Sequence, residues 1–248
     1  VRRIARAVLA GALLLGSAHA QTFPPATTFA QDADLQRAKT ILSRGGAISA
    51  ADQAFLAQTL PGFLAQGLIG RAPTSFETST LTGWFPRLAS DPGWRVTGEA
   101  CPSYNCIAWS VGVVSRWLWP SDDAAAFDAF YLSYGFIPLA PGEDVARAQV
   151  AFWVDANGTA THGCRRLAGD LWESKLGSSL RILHKLADLE SDTYGHVAKF
   201  YRAATPAELA ALGVTPIAAD AGGDPCAAQK RGPRFGVYDL GSPSSRPK

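Results

Sequence analysis

The stretch Ser103–Ser110, SYNCIAWS, sets the reading of the whole chain. An asparagine, a residue type that caps helices, stands directly before a cysteine, and an apolar run begins at that cysteine. The pattern predicts a helix starting at Cys106. Cys106, Trp109, Val113 and Trp117 fall three or four apart on one helical face, and Pro120 ends the run. A cysteine in a first helical turn meets unpaired backbone N–H groups, which favour thiolate over thiol. Cys106 can therefore be read as a nucleophile, half of a disulfide, a metal ligand or core filler, and the choice turns on compartment and partners.

Residues 1–20, VRRIARAVLAGALLLGSAHA, have the layout of a secretory signal. Arg2, Arg3 and Arg6 form a basic head, Ala7 to Leu15 an apolar run, and Ala18-His19-Ala20 a small-x-small cleavage site. The expected mature chain starts near Gln21 and is periplasmic or secreted. Losing the three arginines takes the formal charge of +2 below zero. There is no Lys/Arg stripe interleaved with aromatics, so the charge does not argue for nucleic acid. No later segment is long and apolar enough for a membrane span.

Residues 21–75 read as a helical N-terminal segment. Leu35, Ala38, Ile41 and Leu42 lie at helical spacing, and Arg44-Gly45-Gly46 stops that run. Ser49 heads a second helix with Asp52 in its first turn, and Pro61-Gly62 is expected to break it. From Arg71 to Ala100 the composition predicts loop with one short strand. The main domain spans 76–204. After the Cys106 helix, Asp122–Tyr131 reads as a second short helix. Then the period changes to that of strands: Ala148–Asp155, Thr159–Leu167 after an Asn157-Gly158 turn, Leu171–Gly177, and Tyr194–Ala203. Leu180–Leu189 reads as a short helix. Residues 205–248 hold a small helix capped by Thr205 and a tail rich in Gly, Pro and Ser that is expected to be disordered. Helices followed by an antiparallel meander make the class α+β, with helices packed on the sheet.

The cysteines are Cys101, Cys106, Cys164 and Cys226. In the nucleophile reading, His162 on its strand is the base for Cys106, and Ser174 on the next strand orients the imidazole. Alternation then turns Glu173 and Lys175 to the other face, and Lys175 reads as solvated. Asn105 caps the helix or donates to an oxyanion. His184 is the reserve base, and His196 reads as structural. In the metal reading, zinc would take Cys101, Cys106, His162 and Cys164. The C-x4-C spacing is loose for that, and no metal or cofactor is expected. In the structural reading, export favours disulfides. Cys101–Cys226 is the preferred pair and Cys164 the other candidate partner, although four cysteines allow three full pairings. Trp109, Trp117, Trp119, Trp153 and Trp172 read as core.

The joint arrangement resembles papain-like cysteine peptidases. NCIAWS is similar to their SCWAFS nucleophile segment, and THGC followed by LWESKLG is similar to their histidine strand and the strand after it. The resemblance implies a papain-like fold with Cys106 as nucleophile and His162 as base. Ser174 stands near the place of the family's orienting asparagine. The family's upstream glutamine is absent from GEACPSYN, and Gln149 stands near where the NlpC/P60 cell-wall peptidases carry their histidine. The segment from about Gly83 to Arg202 also resembles an uncharacterised bacterial family with a YNCIAWA-type motif. The matching residues are Phe85–Leu88, Tyr104–Trp109, Thr161-His162, Trp172–Gly177 and Tyr194-Gly195. The implied activity is a secreted thiol hydrolase cleaving an amide bond, with a peptide or the peptide stem of peptidoglycan as substrate. The alternative is a non-catalytic binding module with Cys106 buried or in a disulfide.

Overall fold

The computed structural model describes residues 26–227. The signal-like segment 1–20 and the tail after residue 227 lie outside the described residues. Helices α1 (Ala26–Ser43) and α2 (Ala50–Ala65) form the expected N-terminal pair. Between them Gly46 takes φ +82, a left-handed conformation that suits glycine. Its N–H bonds to Trp109 O at 2.8 Å, which ties the turn to the main domain. Ser49 caps α2, its Oγ accepting from Asp52 N at 3.1 Å. Pro61 does not break α2, contrary to expectation, since the helix runs on to Ala65. A helix-interior proline costs about 3 kcal/mol. Burying Leu56, Leu60 and Phe63 along one side offsets it at about 1.5–3 kcal/mol each.

Helix α3 (Ser75–Trp84) occupies a segment expected to be loop. Its start is a reciprocal capping box: Thr74 Oγ1 accepts from Glu77 N at 3.2 Å, and the Glu77 carboxylate accepts from Thr74 N at 2.7 Å. Arg71 then binds both Glu77 (2.6 and 2.7 Å) and Glu99 (2.7 and 3.0 Å), which anchors α3 beside β1 (Arg95–Gly98).

Helix α4 is shorter than its apolar spacing predicts, Cys106–Ser110 only, and every residue in it is buried. Gly112 ends the run at φ +83, so Val113 and Trp117 do not share the helix. Trp117 and Trp119 are half-buried rather than core. Helix α5 (Ala126–Ser133) and strand β2 (Phe136–Pro138) follow. The meander is β3 (Val150–Val154), β4 (Ala160–Ala168), β5 (Leu171–Lys175) and β6 (Arg181–Lys185), then β7 (His196–Ala203) and α6 (Pro206–Ala211). The short helix expected over Leu180–Leu189 is instead β6 and a 3-10 turn, Leu186–Leu189. Arg181–His184 is buried throughout and so has no polar helix face, and it bonds to β5 on one side and β1 on the other.

All pairings are antiparallel, in the order β1-β6-β5-β4-β3-β7-β2. Strand β3 is buried along its whole length, as a central strand covered on both faces must be. One face carries α4 and α5, with the α1–α2 pair packed on Leu167, Leu171 and Leu183. The other carries α3 and its following turn through Leu81, Phe85 and Leu88. The fold is therefore α+β, helices first and sheet after.

Candidate functional site

Strands β4 and β5 pair so that Arg165 faces Glu173 and Arg166 faces Trp172. Arg165 and Glu173 therefore share a face, and each strand alternates from there. Alternation then puts His162, Cys164 and Ser174 on one face, and Gly163, Arg165, Glu173 and Lys175 on the other.

On the first face, His162 Nε2 lies 2.9 Å from Ser174 Oγ, the contact the sequence reading required. Ser174 Oγ is also 2.7 Å from His184 Nε2, and His184 Nδ1 is 2.7 Å from the Lys185 carbonyl. A carbonyl only accepts, so a neutral His184 carries its proton on Nδ1, and its Nε2 accepts from the serine hydroxyl. The hydroxyl has one proton, so His162 Nε2 donates to it. The relay runs in one direction: His162, Ser174, His184, Lys185 O. It leaves His162 Nδ1 as a bare lone pair, buried and without a hydrogen-bond partner among the described residues. Tyr194 stacks on the His162 ring at 4.1 Å and Trp153 packs against it at 5.2 Å. Burial holds His162 well below its ordinary pKa, with His184 nearby adding to the effect, and burial takes His184 down to about 4. Both rings are neutral.

Cys106 is on the second face. It packs with Tyr104, Ile107 and Phe152, whereas Cys164 packs with Trp153, Trp172 and Tyr194. Gly163 is where α4 meets the sheet: a Cβ there would lie 2.9 Å from Ile107 Cδ1 and 2.7 Å from Tyr131 Oη. The sheet thus stands between the Cys106 sulfur and the His162 ring. His162 and Ser174 meet as expected, but neither serves Cys106, and the reserve base His184 lies on the wrong face with them. Asn105 is the N-cap of α4. Its Oδ1 accepts from Ala108 N at 3.0 Å and Leu118 N at 3.3 Å, and its Nδ2 donates to Leu118 O at 2.9 Å. Its amide braces α4 to residue 118, so Asn105 caps the helix, the first of its two expected places.

Lys175 is not solvated. It is fully buried on the Cys106 face, with Nζ 5.3 Å from the centre of the Tyr104 ring. Nζ donates to Gly177 O and Ser179 O at 2.6 Å each, in the turn between β5 and β6. Burial lowers its amine to about 7, against the opposing pull of Cys106 and Asp224. Burial likewise pushes the Cys106 thiol up to about 11, while the N–H groups of Gly163 and Ile107 and the charge on Lys175 pull it down. A legible signal did exist: a glycine inside a strand marks close approach of another backbone. Gly163 therefore identifies the helix side of β4, and by alternation from Glu173, the partner of Arg165, Lys175 lies on that same side.

Beside Lys175, Glu173 is fully buried and collects Arg165 (2.6 and 2.9 Å), Thr97 Oγ1 (2.6 Å) and Trp109 Nε1 (3.2 Å). Cys101 and Cys226 form a disulfide, the preferred pair, while Cys106 and Cys164 are free and buried. Cys164 therefore bridges to neither. The four residues of the zinc reading are not brought together: Cys101 is in the disulfide, and Cys106 is across the sheet from His162. His196 is exposed at the start of β7.

The profile of a family described as a domain of unknown function, DUF7689, matches residues 95–202. That span begins with β1, reaches into β7 and includes Cys106, His162, Ser174 and Lys175. No curated protein and no solved structure matches the chain. No described helix is long and apolar enough to cross a membrane.

Proposed function

We propose that the chain is a thiol hydrolase exported to the periplasm or beyond, cleaving an amide bond with Cys106 as nucleophile and Lys175, not His162, as base. One observation carries the reading: a free thiol and a lysine amine brought down to about 7 share one sheet face, and each biases the other's charge. A neutral lysine has two N–H groups and one lone pair. Gly177 O and Ser179 O take the two N–H groups, which leaves the lone pair for a proton.

The sulfur attacks the amide carbonyl carbon as its proton passes to Lys175 Nζ. The C–N bond breaks, the leaving amine takes that proton, and an acyl thioester remains on Cys106. Water then attacks the thioester carbon and gives a proton to Lys175; the C–S bond breaks, the carboxylic acid leaves, and the proton returns to sulfur. Complete transfer from a thiol at about 11 to an amine at about 7 is uphill by roughly 5 kcal/mol. General-base catalysis moves the proton in step with attack and avoids that free thiolate. The disulfide and the signal-like leader support export. The resemblance to papain-like peptidases supports amide chemistry. In an envelope, the substrate reading is a peptide, the peptidoglycan stem among them.

The test is turnover of peptidoglycan and generic peptides by the disulfide-intact protein. Expected are cleavage by wild type, none by Cys106→Ala, a loss of about 100-fold or more in Lys175→Met, and retained cleavage in folded His162→Gln. Folded wild type that cleaves nothing, or Cys106→Ala that still cleaves, refutes the reading.

A binding module without catalysis is the second reading, favoured by the burial of the sulfur, which leaves Cys106 only 5% exposed. Buried thiols pushed above their ordinary pKa are inert. Iodoacetamide that leaves Cys106 unlabelled near neutral pH supports this second reading, and labelling of Cys106 with Cys164 spared supports the hydrolase.

A further inference from the structure

After α6 the chain lies as a strap over the Cys106 face. Ile217 N bonds to Ser133 O at 2.7 Å and Asp220 N to Gly112 O at 2.9 Å. The Asp220 carboxylate accepts from Val114 N and Ser115 N at 2.8 and 2.9 Å. The Cys101–Cys226 disulfide latches the far end. The strap carries Asp224 to Arg181, the cross-strand neighbour of Lys175.

Arg181 is 5% exposed, and its guanidinium is built into place. It lies 4.1 Å over the Trp109 ring, and on Gly98 a Cβ would come within 2.8 Å of Nε. Nη2 donates to Thr97 O at 2.9 Å. Nε and Nη1, however, make no hydrogen bond among the described residues. Their nearest carboxylates, Glu173 Oε1 and Asp224 Oδ2, each stand off at 3.4 Å. Elsewhere in the chain, guanidiniums take carboxylates at hydrogen-bond distance: the buried Arg165 on Glu173 at 2.6 Å and the half-buried Arg71 on Glu77 at 2.6 Å. Glu173 is committed to Arg165, and Asp224 is held back because its Oδ1 accepts from Cys226 N at 2.9 Å. Beside them a cleft of about 300 Å³ is lined by Arg71, Thr97, Glu99, Arg181, Asp224 and Cys226.

We infer that Arg181 is a carboxylate-binding position for a small peptide ending in a free carboxylate, and that Asp224 on the latched strap is its internal stand-in. A buried guanidinium whose Nε and Nη1 both lack a hydrogen bond suits an anionic carboxylate better than any neutral group. The cleft is of a size to hold a short peptide end. The position next to Lys175 makes this the substrate class of the proposed hydrolase, so that consequence rests on the hydrolase reading. The binding itself needs no catalysis and stands or falls alone.

Calorimetry with N-acetyl-alanyl-alanine and its C-terminal amide tests it, with the disulfide intact. Asp224→Ala is expected to bind the acid at least ten-fold more tightly than wild type and to ignore the amide. Asp224→Asn keeps an acceptor for Cys226 N, removes the charge and is expected to move the same way, so it serves if the alanine variant does not fold. Adding Arg181→Gln to either variant is expected to abolish the gain. The inference is overturned if neither Asp224 variant gains affinity for the acid. It is equally overturned if acid and amide bind alike, or if the gain survives Arg181→Gln.

Discussion

Glu173→Gln isolates the buried charge that gathers Arg165, Thr97 and Trp109 on the Cys106 face. Glu173 is fully buried and accepts from Arg165 through two bonds, from Thr97 and from Trp109, with Arg181 at ion-pair distance. Glutamine has nearly the same shape but only one acceptor oxygen, and its NH2 group must face one of those donors. Arg165, 1% exposed, then keeps its charge with no carboxylate against it. Removing one partner of a buried pair costs about 3–5 kcal/mol. That is a large share of a typical total of about 5–15 kcal/mol. For a domain of this size the loss corresponds to a fall in Tm of roughly 6–20 °C.

The pH dependence has a definite sign. Burial pushes the Glu173 carboxyl up, but Arg165 and Arg181 outweigh it and leave it below its ordinary value of 4.5. A depressed folded pKa gives stability that is present above the unfolded value, about 4.3, and is lost as pH falls through the folded value. Urea unfolding of both proteins, disulfide intact, is the assay. The gap between them should be full at pH 7 and narrow below about pH 4. A gap under about 1 kcal/mol at pH 7, which is what an exposed pair gives, or one that widens in acid, would refute the assignment of Glu173 as a buried charged anchor.

The neutral imidazoles predict a separate acid loss. His184 goes from an ordinary 6.5 to about 4 on folding, so the unfolded chain binds the extra proton in that window. Stability should fall by up to roughly 3 kcal/mol as pH drops from 6.5 to 4, and a flat urea midpoint between pH 7 and 5 would contradict it. Gly163→Ala places a Cβ 2.7 Å from Tyr131 Oη and 2.9 Å from Ile107 Cδ1. Its overpacking should cost roughly 1–3 kcal/mol; an unchanged urea midpoint would mean that α4 does not rest there. Replacing Cys101 and Cys226 together by alanine opens a link across a sequence separation of 125. On loop entropy the loss should be about 4–5 kcal/mol, read as a lower midpoint that added thiol reductant does not lower further.

Elements with local chemistry were legible. Ser49 and Thr205 cap helices as their positions predict, and the Asn157-Gly158 turn joins β3 to β4 with Gly158 at φ +79. Helix α3 was equally legible in Thr74-x-x-Glu77 but is masked by the surrounding Pro, Gly and Ser. The strand β6 was not. Arg181–Lys185 shows no apolar–polar alternation of its own, and it is a strand because β5 and β1 flank it. A disulfide was expected from compartment, with Cys101–Cys226 preferred among pairings that sequence leaves open, whereas the burial of Lys175 comes from packing that no local pattern records. Export itself would predict that thiols are at risk of oxidation, and both free thiols are buried.

The same limit decides the site. On a strand, one residue of offset reverses the face, and His162 is one residue from Gly163, on which α4 rests. For His162 to reach Cys106, the chain would need an extra residue between the two. Strand β4 does have an irregularity of that kind: Trp153 pairs with His162, but Val154 pairs with Ala160. It falls on the far side of His162, so it turns Ala160 toward the Cys106 cluster and leaves His162 facing Trp153. The papain-like order of cysteine, histidine and polar residue is thus kept along the chain and broken in space. What faces the sulfur is set by parity from Gly163, and the first side chain that parity delivers is Lys175.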